Sequence, residues 1–136
     1  MQFKTLTGRT RRITKAKKYL IDWSAPSKSK MQKGVKDFLK KFWQNHIVFE
    51  EFPVAGTRLS LDFYNASKKI AIEVQGRQHT KYVPYFHGNN KINYINQLKR
   101  DQDKLTFCEQ NEILLIEIYP EDKVTKELFE SYGVDL

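Results

Sequence analysis

The order of hydrophobic and polar positions predicts seven helices and strands between residues 29 and 136. Apolar residues recur at helical spacing from about Lys30 to Asn45, which is typical of an amphipathic helix. Two of the following strands alternate apolar and polar residues around a short polar link, the pattern of a hairpin. The elements predicted after the first helix are strands at Ile47 to Phe52, Leu59 to Tyr64 and Ile70 to Gln75, a helix at about Ile92 to Asn111, a strand at Glu112 to Tyr119 and a helix at about Asp122 to Tyr132.

This order, α-β-β-β-α-β-α, predicts an α/β fold with a mixed sheet flanked by helices, and the nearly continuous apolar run of the last strand predicts a buried central strand. A chain of 136 residues has the size of one domain. We therefore interpret residues 29–136 as a single domain that follows an N-terminal arm, residues 1–28. No apolar run approaches the roughly 18–20 residues that span a membrane, and no secretory signal is recognisable. The single cysteine, Cys108, fits a reducing, cytoplasmic setting.

Charge separates the two parts of the chain. Residues 1–41 contain 13 basic and 2 acidic residues, and residues 42–136 contain 11 basic and 14 acidic residues, for a net charge of +8. This asymmetry favours nucleic acid as the partner over an anionic membrane surface, and a solvated tail that aids solubility is the alternative. The residues predicted to contact nucleic acid are Arg9, Arg11, Arg12, Lys15, Lys17, Lys18, Lys28 and Lys30.

Two acidic residues lie on neighbouring strands of the predicted hairpin. Alternation places Asp62 on one face of the first strand, and Glu73 and Gln75 on the matching face of the second, opposite to Leu61, Phe63 and Ile72. Carboxylates this close repel each other unless a cation, a shared proton or water lies between them. Oxygen ligands of this kind suit Mg²⁺ or Mn²⁺. Two solvated acids with no shared task are the alternative.

A third acid interrupts the apolar stripe of the second predicted helix. This stripe consists of Tyr94, Leu98, Leu105 and Cys108. Asp101 falls in its gap, where an acid is costly unless it is paired or hydrogen-bonded. A role in the site and a buried aspartate bonded to a loop or a histidine both remain open. His79 follows the strand of Glu73 and is expected near the same face, where a histidine of near-neutral pKa can transfer a proton.

Four segments follow one another in the order Leu61-Asp62-Phe63-Tyr64, Ile72-Glu73-Val74-Gln75-Gly76, Gln78-His79 and Lys99-Arg100-Asp101. Taken in this order, they resemble the PD-(D/E)XK nuclease superfamily. More narrowly, they are similar to the branch of the very-short-patch repair endonucleases and the homing endonucleases with an E-D-x-H-D signature. The resemblance covers about residues 29–119 and implies a restriction-endonuclease-like fold.

The resemblance also implies roles for the site residues. Asp62, Glu73 and the carbonyl of Val74 would hold Mg²⁺ or Mn²⁺. His79 would assist in activating water, and Asp101 would support His79.

Two positions depart from the superfamily pattern. Gln75 stands at the lysine position and cannot supply a positive charge. Gln32 stands where the branch usually has a glutamate on the first helix, and Glu50 and Glu51 are candidate substitutes.

The sequence therefore predicts a Mg²⁺- or Mn²⁺-dependent endodeoxyribonuclease that hydrolyses phosphodiester bonds in DNA. We expect a site-specific, homing-type enzyme that acts as a monomer or homodimer in the cytoplasm, in that of the host if a phage encodes it. A mismatch- or junction-specific nicking nuclease is one alternative. The other is a catalytically decayed DNA-binding protein on a nuclease scaffold, which Gln75 and Gln32 motivate.

Overall fold

The computed structural model of the chain describes residues 1–77 and 91–136. The described strands and α-helices are β1 (Gln2–Lys4), β2 (Thr10–Arg12), α1 (Lys30–Trp43), β3 (Val48–Pro53), β4 (Ser60–Asn65), β5 (Ile70–Val74), α2 (Lys91–Gln110), β6 (Leu114–Ile118) and α3 (Lys126–Ser131). A short 3₁₀ helix, Ala16–Tyr19, follows β2. The element order predicted for the described part of residues 29–136 is confirmed, and with it the general α/β class. None of the described helices is both long and apolar enough to cross a bilayer.

A four-stranded mixed sheet has the order β3-β4-β5-β6. β3, β4 and β5 are antiparallel neighbours, and β6 runs parallel to β5. Parallel strands need a long crossover connection, and α2 is the described part of it. The prediction that the last strand is central is wrong, because β6 is an edge strand of the sheet in the part of the chain that the structure describes. Its apolar run is explained by burial on both faces: Ile116 and Ile118 lie in one core cluster and Leu115 packs against the other.

Both faces of the sheet are buried. On one face, Val35 and Leu39 of α1 pack with Phe63 and Ile72. On the other face, a cluster that includes Phe49 of β3 and Tyr64 of β4 packs with Phe107 of α2 and Phe3 of β1. The alternation predicts that Leu61 shares a face with Phe63, but Leu61 packs in the cluster of Phe49 and Tyr64.

The amphipathic pattern of α1 explains its place on the sheet. Ser29 caps the helix by accepting a hydrogen bond from the backbone N–H of Gln32 at 3.1 Å. Val35, Leu39 and Trp43, spaced four residues apart, are buried against the sheet. The helix thus fixes the segment just before it, which contains Lys28, beside the start of β4.

The inward face of α2 differs from the predicted stripe. Leu98 and Leu105 are 43% and 37% exposed, whereas Cys108 is buried as predicted. Partly buried positions of the helix include Asp101 and Lys104. Gln97, Arg100 and Lys104 of this helix line a polar cavity rather than the apolar core. The positions of apolar residues therefore do not indicate which side of the helix is buried.

The first residues form an antiparallel hairpin of β1 and β2 that the sequence did not predict. Phe3 is buried, and the centre of its ring lies 5.6 Å from that of Phe107. The side-chain amide of Asn111 accepts from the N–H of Lys4 at 2.8 Å and donates to its carbonyl at 2.9 Å. Part of the segment interpreted as an arm therefore packs on the core. The boundary at residue 28 rests on the distribution of charge along the sequence.

Candidate active site

Asp62 and Glu73 meet where the pairing of β4 and β5 ends. The last backbone pair in this direction joins Phe63 and Ile72. Beyond it, Glu73 Oε2 accepts the N–H of Asp62 and Asp62 Oδ2 accepts the N–H of Val74, both at 2.7 Å. The two acids are only 2% and 5% exposed. Each carboxylate therefore satisfies a backbone N–H group of the opposite strand. The structure thus brings the two predicted acids together.

Two lysines take the remaining oxygens of this pair. Lys28 Nζ lies 2.6 Å from Asp62 Oδ1, and Lys104 Nζ forms an ion pair with Glu73 Oε1. Lys28 was predicted as a contact to nucleic acid, whereas Lys104 was not predicted. The signal for Lys104 was its position three residues after Asp101, on the same side of α2.

The environment shifts the pKa values of two of these groups. Burial, followed by the charge of Asp62, raises the pKa of Glu73 to about 7 against the opposing effect of Lys104. Burial lowers the pKa of Lys28, but its hydrogen bond to Asp62 and the charges of nearby acids outweigh this effect and raise it overall. Burial and repulsion therefore disfavour the negative charge of Glu73, and a cation bound beside the pair would favour it.

The acids and lysines line a cavity of about 480 Å³. Its wall contains four basic side chains, which are Lys28, Arg77, Arg100 and Lys104. Asp62 and Glu73 are its acidic side chains, and Val74 and Gln75 also line it. Such a cavity suits an anionic group that binds beside the two carboxylates.

Asp101 is connected to this site through Arg77 and Gln97, two residues that line the cavity. Arg77 Nη2 donates to Asp101 Oδ2 at 2.5 Å, and Gln97 Nε2 donates to Oδ1 at 2.9 Å. Arg77, which sequence reasoning missed, explains why this acid is tolerated on the inward side of α2. His79, its predicted partner, lies outside the described residues, so that partnership remains a prediction.

Gln32 lies beside the site but one step removed from it. Its side chain is buried, and Nε2 donates to Glu50 Oε2 at 2.9 Å and to Glu51 Oε1 at 3.0 Å. Glu50 is also bonded to the buried Lys36 at 2.8 Å. Glu51 Oε1 lies 3.6 Å from Lys28 Nζ, so the described contacts connect Gln32 to Asp62 through Glu51 and Lys28.

The predicted metal ligands form a pair rather than a larger cluster. Residues 1–77 and 91–136 contain no group of three or more histidine, cysteine, aspartate or glutamate side chains that could hold a metal ion. Two carboxylates still suit Mg²⁺, which keeps several waters and is often held by one or two carboxylates together with substrate phosphate.

The predicted nucleic-acid contacts share one property, which is exposure to solvent. All eight residues are exposed: Arg9, Arg11, Arg12, Lys15, Lys17, Lys18, Lys28 and Lys30. The first three belong to the hairpin of β1 and β2 or its turn. The hairpin thus packs Phe3 on the core and presents these arginines to solvent.

Comparison with known proteins finds similarity to viral proteins. The chain is 44% identical over 66 residues to "Uncharacterized protein 094L" of Frog virus 3 (isolate Goorha), a match that covers 48% of this chain and 43% of that protein. It is 40% identical over 60 residues to "Uncharacterized protein 307L" of Invertebrate iridescent virus 6, covering 44% of this chain and 30% of that protein. It is also 35% identical over 66 residues to "Uncharacterized protein 033L" of Invertebrate iridescent virus 3, a match that covers 48% of this chain and 34% of that protein.

These matches span less than half the length of each relative. No family model matches the chain, and no solved structure matches it.

Proposed function

We propose that this chain is a metal-dependent DNA endonuclease with a restriction-endonuclease-like fold, as the resemblance to the PD-(D/E)XK superfamily implies. The proposal rests on one observation above all. Asp62 and Glu73, buried on adjacent strands, line a cavity whose other charged side chains, among the residues that the structure describes, are four cations. A phosphodiester is an anion, and its hydrolysis builds up negative charge on the phosphoryl oxygens. The four cations are complementary to both charges.

The donor set fits a hard divalent cation. Each carboxylate gives one oxygen to a strand amide and the other to a lysine ammonium, so both acids already bind positive charge. Asp62, Glu73 and the carbonyl of Val74 would hold Mg²⁺ or Mn²⁺, for which oxygen ligands are preferred. When bound, the ion supplies positive charge at the phosphate and the leaving oxygen.

The cationic side chains have a separate task. In hydrolysis, a water oxygen forms a bond to phosphorus while one ester P–O bond breaks, and the leaving oxygen gains a proton. Arg77 and Arg100 line the cavity and orient the phosphate group by charge and hydrogen bonds. Asp101 holds Arg77 in place at 2.5 Å.

The exposed basic residues before α1 are proposed to bind the phosphates on either side of the reacting one. They contact the backbone of DNA without regard to sequence, so they contribute affinity and orientation. The similarity to viral proteins supports a virus as the source of the chain, and the proposed place of action is the host cell.

Cleavage of supercoiled plasmid tests the proposal. The purified chain is incubated with Mg²⁺, Mn²⁺ or EDTA, together with Asp62→Asn and Glu73→Gln. These amides keep an oxygen for the strand N–H groups but remove the charge. We expect nicking or linearisation only with metal, and a loss of at least about a hundredfold in each variant.

Asp37→Asn is the matched control, because Asp37 is an exposed acid on α1 that pairs with Lys33. It should cleave like the wild-type chain. Cleavage by Asp62→Asn at the wild-type rate would contradict the proposal. If the wild-type chain shifts DNA in a gel but cuts it with neither metal, the DNA-binding protein on a nuclease scaffold becomes the better interpretation.

A further inference from the structure

Lys104 is buried to a degree that is unusual for a lysine. Its side chain is 15% exposed, whereas that of Lys99, on the same helix, is 74% exposed. Withdrawing an ammonium from water is costly unless a partner compensates it, and Glu73 is that partner. Such a position is costly to maintain if packing is the only purpose, since a leucine would pack the same volume without the cost of desolvation.

The other described cations that line the cavity are bonded to groups other than Glu73, and Arg100 donates to Gln97. Gln75 lies two residues after Glu73, lines the same cavity and carries no charge. Lys28 is bonded to Asp62 and Arg77 to Asp101. Within the part of the chain that the structure describes, Lys104 is the cation in contact with Glu73.

The approach of Lys104 from α2 also differs from that of Lys28. Lys28 reaches Asp62 from the segment before α1, so the two lysines contact the acid pair from different elements. Both lysines also line the cavity, so a phosphate bound beside the acids would lie near both ammonium groups.

We infer that Lys104 is a further catalytic residue of this site, which contacts the scissile phosphate and supplies the positive charge that Gln75 cannot. The inference rests on the proposed nuclease function. The Nζ of Lys104 donates a hydrogen bond to a non-bridging oxygen of the phosphate and stabilises the negative charge that builds up there during hydrolysis. Lys104 transfers no proton in this role.

Three variants test the inference. Lys104→Met removes the charge at similar length, Lys104→Arg keeps the charge, and Lys99→Met removes a charge from the exposed side of the same helix. In plasmid cleavage with Mg²⁺, we expect Lys104→Met to lose about 100- to 1,000-fold in rate. Lys104→Arg should recover most of that loss, and Lys99→Met should stay within about twofold of the wild-type rate.

A second measurement does not depend on cleavage. Binding of a short DNA duplex is measured against salt concentration in Ca²⁺ for the same chains, with thermal melting as the check of folding. Log K falls as log salt rises, and loss of one phosphate contact makes the slope less steep by about 0.9. We expect this reduction in Lys104→Met, but not in Lys104→Arg or Lys99→Met.

The outcomes separate the two levels of the proposal. An unchanged slope in folded Lys104→Met overturns the inference, and so does cleavage at the wild-type rate. A loss of cleavage that arginine does not restore, with an unchanged slope, assigns Lys104 a structural role and also overturns it. If the wild-type chain does not cleave at all, the nuclease function fails, while a reduced slope in Lys104→Met still supports the contact with phosphate.

Discussion

At the scale of single residues, Glu73 is subject to opposing forces. Burial and the neighbouring Asp62 disfavour its charge, while Lys104 and the N–H of Asp62 favour it. The result is a carboxyl group whose pKa lies at about 7, close to physiological pH. Its protonation is therefore linked to the stability of the fold.

This linkage predicts a pH dependence of unfolding in EDTA. Between pH 4.5 and about 7, Glu73 binds a proton in the folded chain but not in the unfolded chain, because folding raises its pKa from 4.5. Its contribution therefore favours the folded state at low pH and is lost as the pH rises through about 7. From pH 5 to pH 8, we expect the wild-type chain to lose up to about 3 kcal/mol more than Glu73→Gln.

Urea unfolding at pH 5, 6, 7 and 8 measures this difference. The control is Glu130→Gln, which removes an exposed acid from α3 and should follow the wild-type curve. Parallel curves for the wild-type chain and Glu73→Gln would show that Glu73 is ionised throughout this range.

At the scale of helices and strands, the sequence predicted the order of elements well, because α1, β4 and β5 follow simple periodic patterns and β3 is a short apolar run. The pattern fails at α2. There the half-buried side chains include Asp101 and Lys104, and apolar residues such as Leu98 are exposed. A helix that covers a polar cavity cannot be oriented by hydrophobicity, and so Lys104 was not found.

The hairpin of β1 and β2 was missed for a different reason. Each strand has three residues, too few to establish a period of two, and only Phe3 among them is apolar. Its burial depends on contacts with residues that are distant in sequence, such as Phe52 and Phe107. The pairing of Asp62 with Glu73 was predictable, because it follows from alternation within one hairpin.

Two glycines give opposite predictions for the elements that contain them. Gly34 lies in α1 with open space around an added Cβ, so Gly34→Ala should stabilise the chain by about 0.5–1 kcal/mol. Gly56, in the turn between β3 and β4, has a φ of +82°, and its Cβ would lie 3.0 Å from Thr5 Cγ2. Gly56→Ala should therefore destabilise it by about 1–2 kcal/mol or more.

Urea unfolding of both alanine variants at one pH measures these values. Gly34→Ala also serves as the control for adding a methyl group. If Gly56→Ala were as stable as the wild-type chain, the close approach of the N-terminal hairpin to this turn would not exist in solution.

At the scale of the whole molecule, the net charge of +8 is distributed unevenly, with the excess before and within α1. If the position of this charge matters for DNA binding, two variants of equal net charge should differ. Arg11→Gln with Arg12→Gln removes two charges from β2. Lys68→Gln with Lys123→Gln removes two exposed charges from the acidic part of the chain.

We expect the double variant in β2 to make the slope of log K against log salt less steep by up to about 1.8. The double variant of Lys68 and Lys123 should leave the slope nearly unchanged. Binding of a fluorescent DNA duplex between about 50 and 200 mM salt measures both slopes. Over this range, a protein that makes about 6–10 phosphate contacts loses about 10³–10⁵-fold in affinity. Equal slopes in the two double variants would indicate attraction by net charge alone.

The exchange of hydrogen bonds between Asp62 and Glu73 has a consequence for how this molecule can be observed. Because each carboxylate accepts a backbone N–H from the opposite strand, the amide protons of Asp62 and Val74 are hydrogen-bonded to the carboxylates that a ligand would contact. Their chemical shifts and exchange rates are therefore direct reporters of what the acids bind. The sheet therefore contains two backbone amides at the site that act as spectroscopic probes.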